Sequence, residues 1–476
     1  MPFDDQLRPG TAPLFTDLYQ LTMLQAYWGE EMHADAVFDL FIRRLNHRNF
    51  FLACGLEQAL EFLETMSFSG EAIDFLAKQD EFEDDFLDWL RDFSFTGDVY
   101  AVREGTPMFP DEPILEVVAP IGEAQLAETF LLNQITFQTG AASKATRVVQ
   151  AANAGGKERL VADFGMRRMH GTDAAMKGAR AMYIAGVGAT SNVAAGHAYG
   201  IPITGTMAHS YIEAHDQERE AFRAFTQQYP ETILLVDTYD TLAGVDSVIE
   251  LAKDLGDDFR VRGIRLDSGD LADLAKKARA LLDEAGLDDV MILASSGLDE
   301  HKITELLDRG APIDGFGVGT RMGTMADQPY LDSAYKLCGY DGTPRMKLAT
   351  NKSNLPGRKQ VIRQTKSTNG TDTPVRDLIC RWDEAGDEAG DEAGAIDGTP
   401  LLECVMRGGE RTRAGEPCSL EEIRAHAAEQ INALLPELRR FEPAEPPYPV
   451  EVSDALAEHR DQVRASLRKE HTGQAD

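Results

Sequence analysis

Cysteine is scarce in this 476-residue chain: Cys54, Cys338, Cys380, Cys404 and Cys418 are odd in number, widely spaced and include no C-x-x-C pair. Disulfide frameworks and structural zinc sites need patterned thiols, so this spacing argues against both and for free thiols. Long apolar runs are also missing. No stretch approaches the ~18 consecutive apolar residues of a membrane-spanning helix. The opening Met1-Pro-Phe-Asp-Asp-Gln-Leu-Arg8 has neither a basic region nor an apolar one, so no secretory signal is visible and a cytoplasmic location is expected. Positive charge is the third shortage, with 47 Lys and Arg against 80 Asp and Glu, a net charge of −33. Such a surface repels phosphate backbones and anionic lipids, so neither nucleic acid nor membrane is an expected partner. Any site for an anion must concentrate its cations locally. The carboxylates are spread along the whole chain, which suits a salt-rich cytoplasm that screens their repulsion. The apolar fraction, 43%, and the aromatic fraction, 8%, are those of a globular protein, and the length predicts about two or three domains.

Residues 1–121 read as an α+β domain. Apolar residues at 18, 21, 24 and 27 give a helix with Thr16 or Asp17 as N-cap. A strand is expected at 37–42, helices at 55–65 and along the acidic stretch 71–92, and strands near 98–103 and 113–119. From 122 to 335 helical patterns alternate with short apolar strand candidates at 159–163, 182–184, 202–206, 233–236, 262–266, 290–295 and 314–318. This βα rhythm predicts an α/β barrel, whose chemistry lies on the turns that follow its strands. Residues 336–410 return to the first domain, with 343–350 and 357–363 expected to pair as strands. Residues 411–476 form a helical tail, opened by a Ser419/Glu422 capping box, bent at Pro436 and closed by a helix at 453–468. The acidic repeat at 383–394 lacks EF-hand ligand spacing and reads as a solvated insertion.

Four motifs fall at expected strand ends. In Val261-Arg-Gly-Ile-Arg-Leu-Asp-Ser-Gly-Asp270, Arg265 and Asp267 stand two apart and emerge on one face, as binders of a carboxylate and of a polyol or metal, or as a structural ion pair. Asp314-Gly-Phe-Gly-Val-Gly-Thr320 offers alternate glycines and a hydroxyl to a phosphate, although tight packing also selects glycine. Gly205-Thr-Met-Ala-His-Ser210 places His209 as a base, a nucleophile or a satisfied surface imidazole. Asp163-Phe-Gly-Met-Arg-Arg168 sets an aromatic face beside two guanidiniums. His170, His197, His209 and His215 have no ligand spacing that completes a metal site.

Together these residues resemble the nicotinate phosphoribosyltransferase family over nearly the whole chain. The markers are Thr16-Asp-Leu-Tyr-Gln20, Phe164-Gly-Met-Arg-Arg168, Gly205-Thr-Met-Ala-His-Ser210, Arg265-Leu-Asp-Ser-Gly-Asp270, Gly317-Val-Gly-Thr320, Pro344-Arg-Met-Lys-Leu348 and Leu355-Pro-Gly357, in the expected order. The resemblance implies an irregular, TIM-like α/β barrel of the type II phosphoribosyltransferase kind, with an α+β domain built from the N-terminal segment and the post-barrel return. It implies ATP-coupled transfer of phosphoribosyl from phosphoribosyl pyrophosphate to nicotinate, Mg²⁺ as cofactor, and a homodimer with a shared site. By the same resemblance Phe164 and Tyr19 of the partner subunit sandwich the pyridine ring. Arg265 holds the carboxylate with Thr206 nearby, and Arg167 contacts substrate or its phosphates. Asp267, followed by Ser268 in its motif, binds ribose hydroxyls or orients Mg²⁺. Gly317, Gly319 and Thr320 hold the 5-phosphate, and His209 takes the phosphoryl group of ATP. A nicotinamide-using relative has an acidic residue where this chain has Ser191, and a carboxylate there would repel nicotinate. That relative and a non-catalytic phosphoribosyl pyrophosphate-binding protein are the alternatives. The acidic insertion and Arg321 after Thr320 depart from the family pattern.

Overall fold

A computed structural model describes residues 9–348, 354–368, 371–386 and 396–472. The chain divides into two compact units, Met1–Gly140 with Tyr330–Asp476, and Ala141–Pro329. The observed limits of the second unit stand beside the expected limits 122 and 335, and residues 411–476 belong with the first unit.

The first unit is built on a seven-stranded antiparallel sheet, in the order Thr343–Pro344, Ser333–Tyr340, Asp35–Ile42, Pro113–Pro120, Asp98–Ala101, Glu403–Arg407, Glu410–Arg411. Its core includes Phe38 stacked on Tyr335 at 4.8 Å and Phe62 stacked on Phe130 at 4.0 Å between ring centroids. The first helix runs Leu18–Gly29 with Asp17 at its N-cap. The acidic stretch 71–92 is not one helix but two, Gly70–Ala77 and Asp84–Leu90. Asp80 breaks the run with a φ of 55°, and each short helix buries its own apolar set, Ala72, Ile73 and Leu76 in one, Phe86, Leu87 and Leu90 in the other.

The expected pairing of 343–350 with 357–363 is not what forms. Thr343–Pro344 pairs with Ser333–Tyr340, and Lys359–Thr368 pairs with Thr371–Arg381 in a separate four-stranded sheet. Gly342, at a φ of 67°, closes the first hairpin locally, and a longer β-branched partner claims the second strand. Of the acidic repeat, residues 387–394 lie outside the described residues. Its first glutamate, Glu384, is structural: it accepts the Arg381 amide at 2.8 Å and the Ser453 hydroxyl at 2.8 Å. The Ser419/Glu422 capping box opens the helix Leu420–Ala433, and the last helix spans Asp454–Thr472.

The second unit carries the βα alternation. Six parallel strands lie in the order Ala189–Thr190, Leu160–Asp163, Gly315–Val318, Met291–Ala294, Gly263–Leu266, Ile233–Leu235, an open half-barrel among the described residues. Two strand expectations fail here. Residues 182–184 end the helix Thr172–Ile184, because the apolar run continues an alanine-rich helical face that buries Ala175, Ala179, Met182 and Ile184; the strand forms five residues later. Residues 202–206 give only an isolated bridge, Ile203 to Thr190. Every strand is parallel, so all their C-terminal ends open on one side.

Candidate active site

That side gathers most of the residues singled out above. Strand Gly263–Leu266 alternates its side chains, so Ile264 and Leu266 are buried while Arg265 emerges at the mouth. Its guanidinium donates to Thr206 Oγ1 at 2.5 Å and to the Met207 carbonyl at 3.2 Å, and its carbon lies 6.0 Å from the Phe164 ring centroid. Burial draws its pKa below the usual arginine value, and Arg167 pushes the same way. Among the described residues no carboxylate forms an ion pair with Arg265, and its Nε is buried without a partner. Asp267 makes no contact ion pair with it, although the charges of Asp267 and Asp237 oppose the effect of burial.

Asp267 turns elsewhere. Its Oδ1 accepts the Ser295 hydroxyl at 2.5 Å, and its Oδ2 faces His209 Nε2 at 3.9 Å. His209 opens the short helix His209–Glu213, and its Nδ1 lies 3.1 Å from Thr238 Oγ1. The imidazole is thus held at one nitrogen while the other looks across the mouth. Asp237 underlies this arrangement: its Oδ2 accepts the Asp267 amide at 2.9 Å and the Ser268 hydroxyl at 2.5 Å, while its buried Oδ1 has no partner. Asp237, Thr238 and Ser295 were not anticipated. The signal was present, since Val236-Asp-Thr and Ala294-Ser-Ser-Gly297 follow expected strands just as the chosen motifs do. Ser296 takes a φ of 88°, in the left-handed region that L-residues rarely adopt.

The glycine-rich end Gly315–Val318 serves the aromatic ring directly. A Cβ on Gly317 would stand 2.4 Å from Phe164 Cε2, so Gly317 is the seat of that ring. Gly319 precedes the one-turn helix Thr320–Gly323, with Thr320 exposed. Arg321 leaves the turn and pairs with Asp299 at 2.6 Å. Asp299 in turn caps the helix Glu300–Asp308 through the Lys302 amide, so Arg321 braces a neighbouring loop. Arg167 and Arg168 are exposed, Ser191 is half-buried, and its amide donates to the Asp163 carbonyl at 2.8 Å. Tyr19 belongs to the first unit and is not among the residues that the second unit assembles. It is 50% exposed, and its hydroxyl accepts from Gln20 Nε2 at 3.0 Å. Among the described residues no group of three or more His, Cys, Asp or Glu is placed to hold a metal ion, and no helix is long and apolar enough to cross a membrane.

The chemistry of this mouth is a half-buried guanidinium with no carboxylate in contact, beside an aromatic face, with an imidazole and the carboxylates of Asp267 and Asp237 near enough to act on it through their charge. Comparison with known proteins agrees with it. Residues 14–136 match the nicotinate phosphoribosyltransferase N-terminal domain, 160–339 the nicotinate phosphoribosyltransferase family, and 358–460 its C-terminal domain. The nicotinate phosphoribosyltransferase pncB2 of Mycobacterium tuberculosis is 50% identical over 469 residues, 98% of this chain and 97% of the relative. That of Bacillus subtilis is 45% identical over 365 residues, 75% of this chain and 74% of its own. Among solved structures, human nicotinic acid phosphoribosyltransferase superposes with a TM-score of 0.79 at 28% identity, covering 94% of this chain and 99% of its own. The type II α/β fold expected from the motifs is the fold observed, and the chain belongs to the nicotinate phosphoribosyltransferase family.

Proposed function

We propose that the chain transfers the phosphoribosyl group of phosphoribosyl pyrophosphate to nicotinate, forming nicotinate mononucleotide and pyrophosphate, in a step coupled to ATP hydrolysis. The observation that carries the reading is Arg265, a partly desolvated guanidinium that no carboxylate touches among the described residues, set beside the Phe164 ring. A flat ring bearing a carboxylate supplies both missing partners, a stacking face and a charge-assisted bidentate acceptor. Nicotinamide would leave the cation unpaired, and Ser191 offers it no carboxylate. Phe164 covers one ring face, and in a homodimer Tyr19 of the partner subunit covers the other. Thr206 steadies Arg265, Arg167 contacts the substrate or its phosphates, and Gly319 and Thr320 receive the 5-phosphate, while Gly317 seats the Phe164 ring.

The ribosyl transition state is cationic and pyrophosphate departs as an anion, so positioning and charge neutralisation carry the catalysis. Magnesium takes one or two protein carboxylates and completes its shell with water and substrate phosphates. The unpartnered Oδ1 of Asp237 and the outward Oδ2 of Asp267 fit that donor set, with Asp267 as the holder. When bound, the ion neutralises the leaving pyrophosphate. His209, fixed at Nδ1 by Thr238, presents Nε2 as acceptor of the γ-phosphoryl of ATP; ADP leaves, and water later cleaves the P–N bond to release phosphate. The test compares nicotinate with nicotinamide, each with and without ATP, in the natural protein and in Arg265→Ala. The reading expects mononucleotide from nicotinate, stimulation by ATP, and a severe rise in the nicotinate KM of the variant. An unchanged KM would overturn it.

A further inference from the structure

We infer that Asp163 is a positioning residue that registers the aromatic face of the site against the turn that contacts the ring substituent. The inference rests on the placement of nicotinate at Phe164 and Ser191 proposed above. Asp163 ends the strand Leu160–Asp163, between Val318 on one side and Thr190 on the other. Only 1% exposed, it touches no basic side chain among the described residues: Oδ1 accepts the Gly165 amide at 2.8 Å and Oδ2 accepts the Thr190 hydroxyl at 2.8 Å. Its carbonyl accepts the Ser191 amide at 2.8 Å, and the next amide, that of Phe164, donates to the Val318 carbonyl at 2.8 Å. The relay continues outward. Thr190 Oγ1 accepts the Asn192 amide at 3.1 Å, and Asn192 caps the helix Val193–Tyr199 through the Ala195 amide while bonding the Ala175 carbonyl.

A buried carboxylate without a cation is costly, and burial holds its pKa above the usual aspartate value. Asparagine would fill the same volume without that cost, yet it has one acceptor oxygen where two donors converge. With its amide nitrogen turned to Thr190, the Thr190 hydroxyl would lose the acceptor that Asp163 Oδ2 gives it, and the bond that ties the two turns would reverse or break. Two acceptors on one rigid planar group therefore fix the Phe164 turn and the Ser191 turn at a set separation. The consequence is selectivity. Loosening the latch moves the ring contacts and leaves the phosphate end of the site alone.

The test uses Asp163→Asn, Thr190→Val and Thr190→Ser in the full chain, with KM and kcat for nicotinate, nicotinamide and phosphoribosyl pyrophosphate. Asp163→Asn and Thr190→Val should raise the nicotinate KM about tenfold or more and narrow the preference for nicotinate over nicotinamide. The KM for phosphoribosyl pyrophosphate should stay within about twofold, and Thr190→Ser, which keeps the hydroxyl, should restore the natural values. Equal loss of activity toward all substrates, or an unchanged preference in a folded variant, would overturn the latch. Phe164→Leu separates the two readings: if it raises the nicotinate KM while the latch variants do not, only the latch fails; if it leaves that KM unchanged, the ring placement fails.

Discussion

Replacing Gly317 by alanine tests the ring seat with a single methyl group. The strand pairing of Gly317 with Ala162 and a φ outside the left-handed region mean that alanine suits the backbone, so the whole effect is contact. The new Cβ would lie 2.4 Å from Phe164 Cε2 and 2.6 Å from Cδ2. Carbon atoms settle near ~3.5–4.0 Å, so the ring must retreat by about 1 Å or more. The strand that carries Gly317 is held between two parallel neighbours, which leaves Phe164, half-buried and at the start of a turn, as the part that yields. Overpacking of this kind costs about 1–3 kcal/mol, and a reacting geometry displaced by about 1 Å can lose roughly 100-fold. Gly317→Ala should therefore raise the nicotinate KM by about 10- to 100-fold, equal to roughly 1.4–2.7 kcal/mol. The melting temperature should fall by a few degrees, at about 2–4 °C per kcal/mol for a domain of this size. Steady-state kinetics and thermal unfolding read both. A Gly317→Ala/Phe164→Leu cycle adds a direct check, since a smaller side chain relieves the overlap and the two changes must be non-additive. Additive effects, or a nicotinate KM within twofold of the natural value, would refute the ring seat.

Three further outcomes follow from other parts of the molecule. His209→Asn should abolish acid-labile label from γ-labelled ATP and the ATP stimulation while leaving slow, uncoupled transfer; label that persists would name another acceptor. His426, half-buried in the first unit with Thr106 Oγ1 at 3.1 Å, has its pKa lowered to about 4 by desolvation and by the Arg103 charge. The unfolded chain thus binds a proton near pH 6.5 that the folded chain refuses, so this residue removes stability as pH falls from about 6.5 toward 4. His426→Gln should lose less melting temperature than the natural protein between pH 7 and pH 4.5, and equal losses would contradict the assignment. With −33 formal charges, the melting temperature should rise between 0.1 and 2 M KCl while the KM for phosphoribosyl pyrophosphate also rises, because screening shortens from roughly 10 Å at 0.1 M to 3 Å at 1 M. A flat or falling melting temperature would mean that the acidity is not salt adaptation.

The catalytic face was legible because strand ends can be found by composition, and a parallel sheet collects strand ends whatever the helices between them do. Arg265, Phe164 and His209 could therefore be assigned to that mouth from local pattern, while Thr206 came only with the family resemblance. Asp237 and Thr238 stand at an equivalent strand end and were passed over, because Val236-Asp-Thr has no glycine, cation or imidazole to set it apart, and the hydrogen bonds that give it weight join turns distant in sequence. The misplaced strand at 182–184 shows the limit of short apolar runs, which helices and strands share until a partner chooses between them. Gly317 is a further case. Its glycine was read as an approach route for phosphate, and only the packed ring shows why a methyl group is excluded there.

The division of the first unit between two chain segments has a consequence for synthesis. The strand Asp35–Ile42 needs Pro113–Pro120 on one edge and Ser333–Tyr340 on the other. The second partner emerges only after the second unit, Ala141–Pro329, which is 329 − 141 + 1 = 189 residues. At about 5–20 residues per second the ribosome takes roughly 10–40 s to supply them. Throughout that interval the newborn first unit offers an open sheet edge with buried-type residues such as Phe38 and Leu40 beside it. Like charge on neighbouring half-made copies opposes the pairing of such edges.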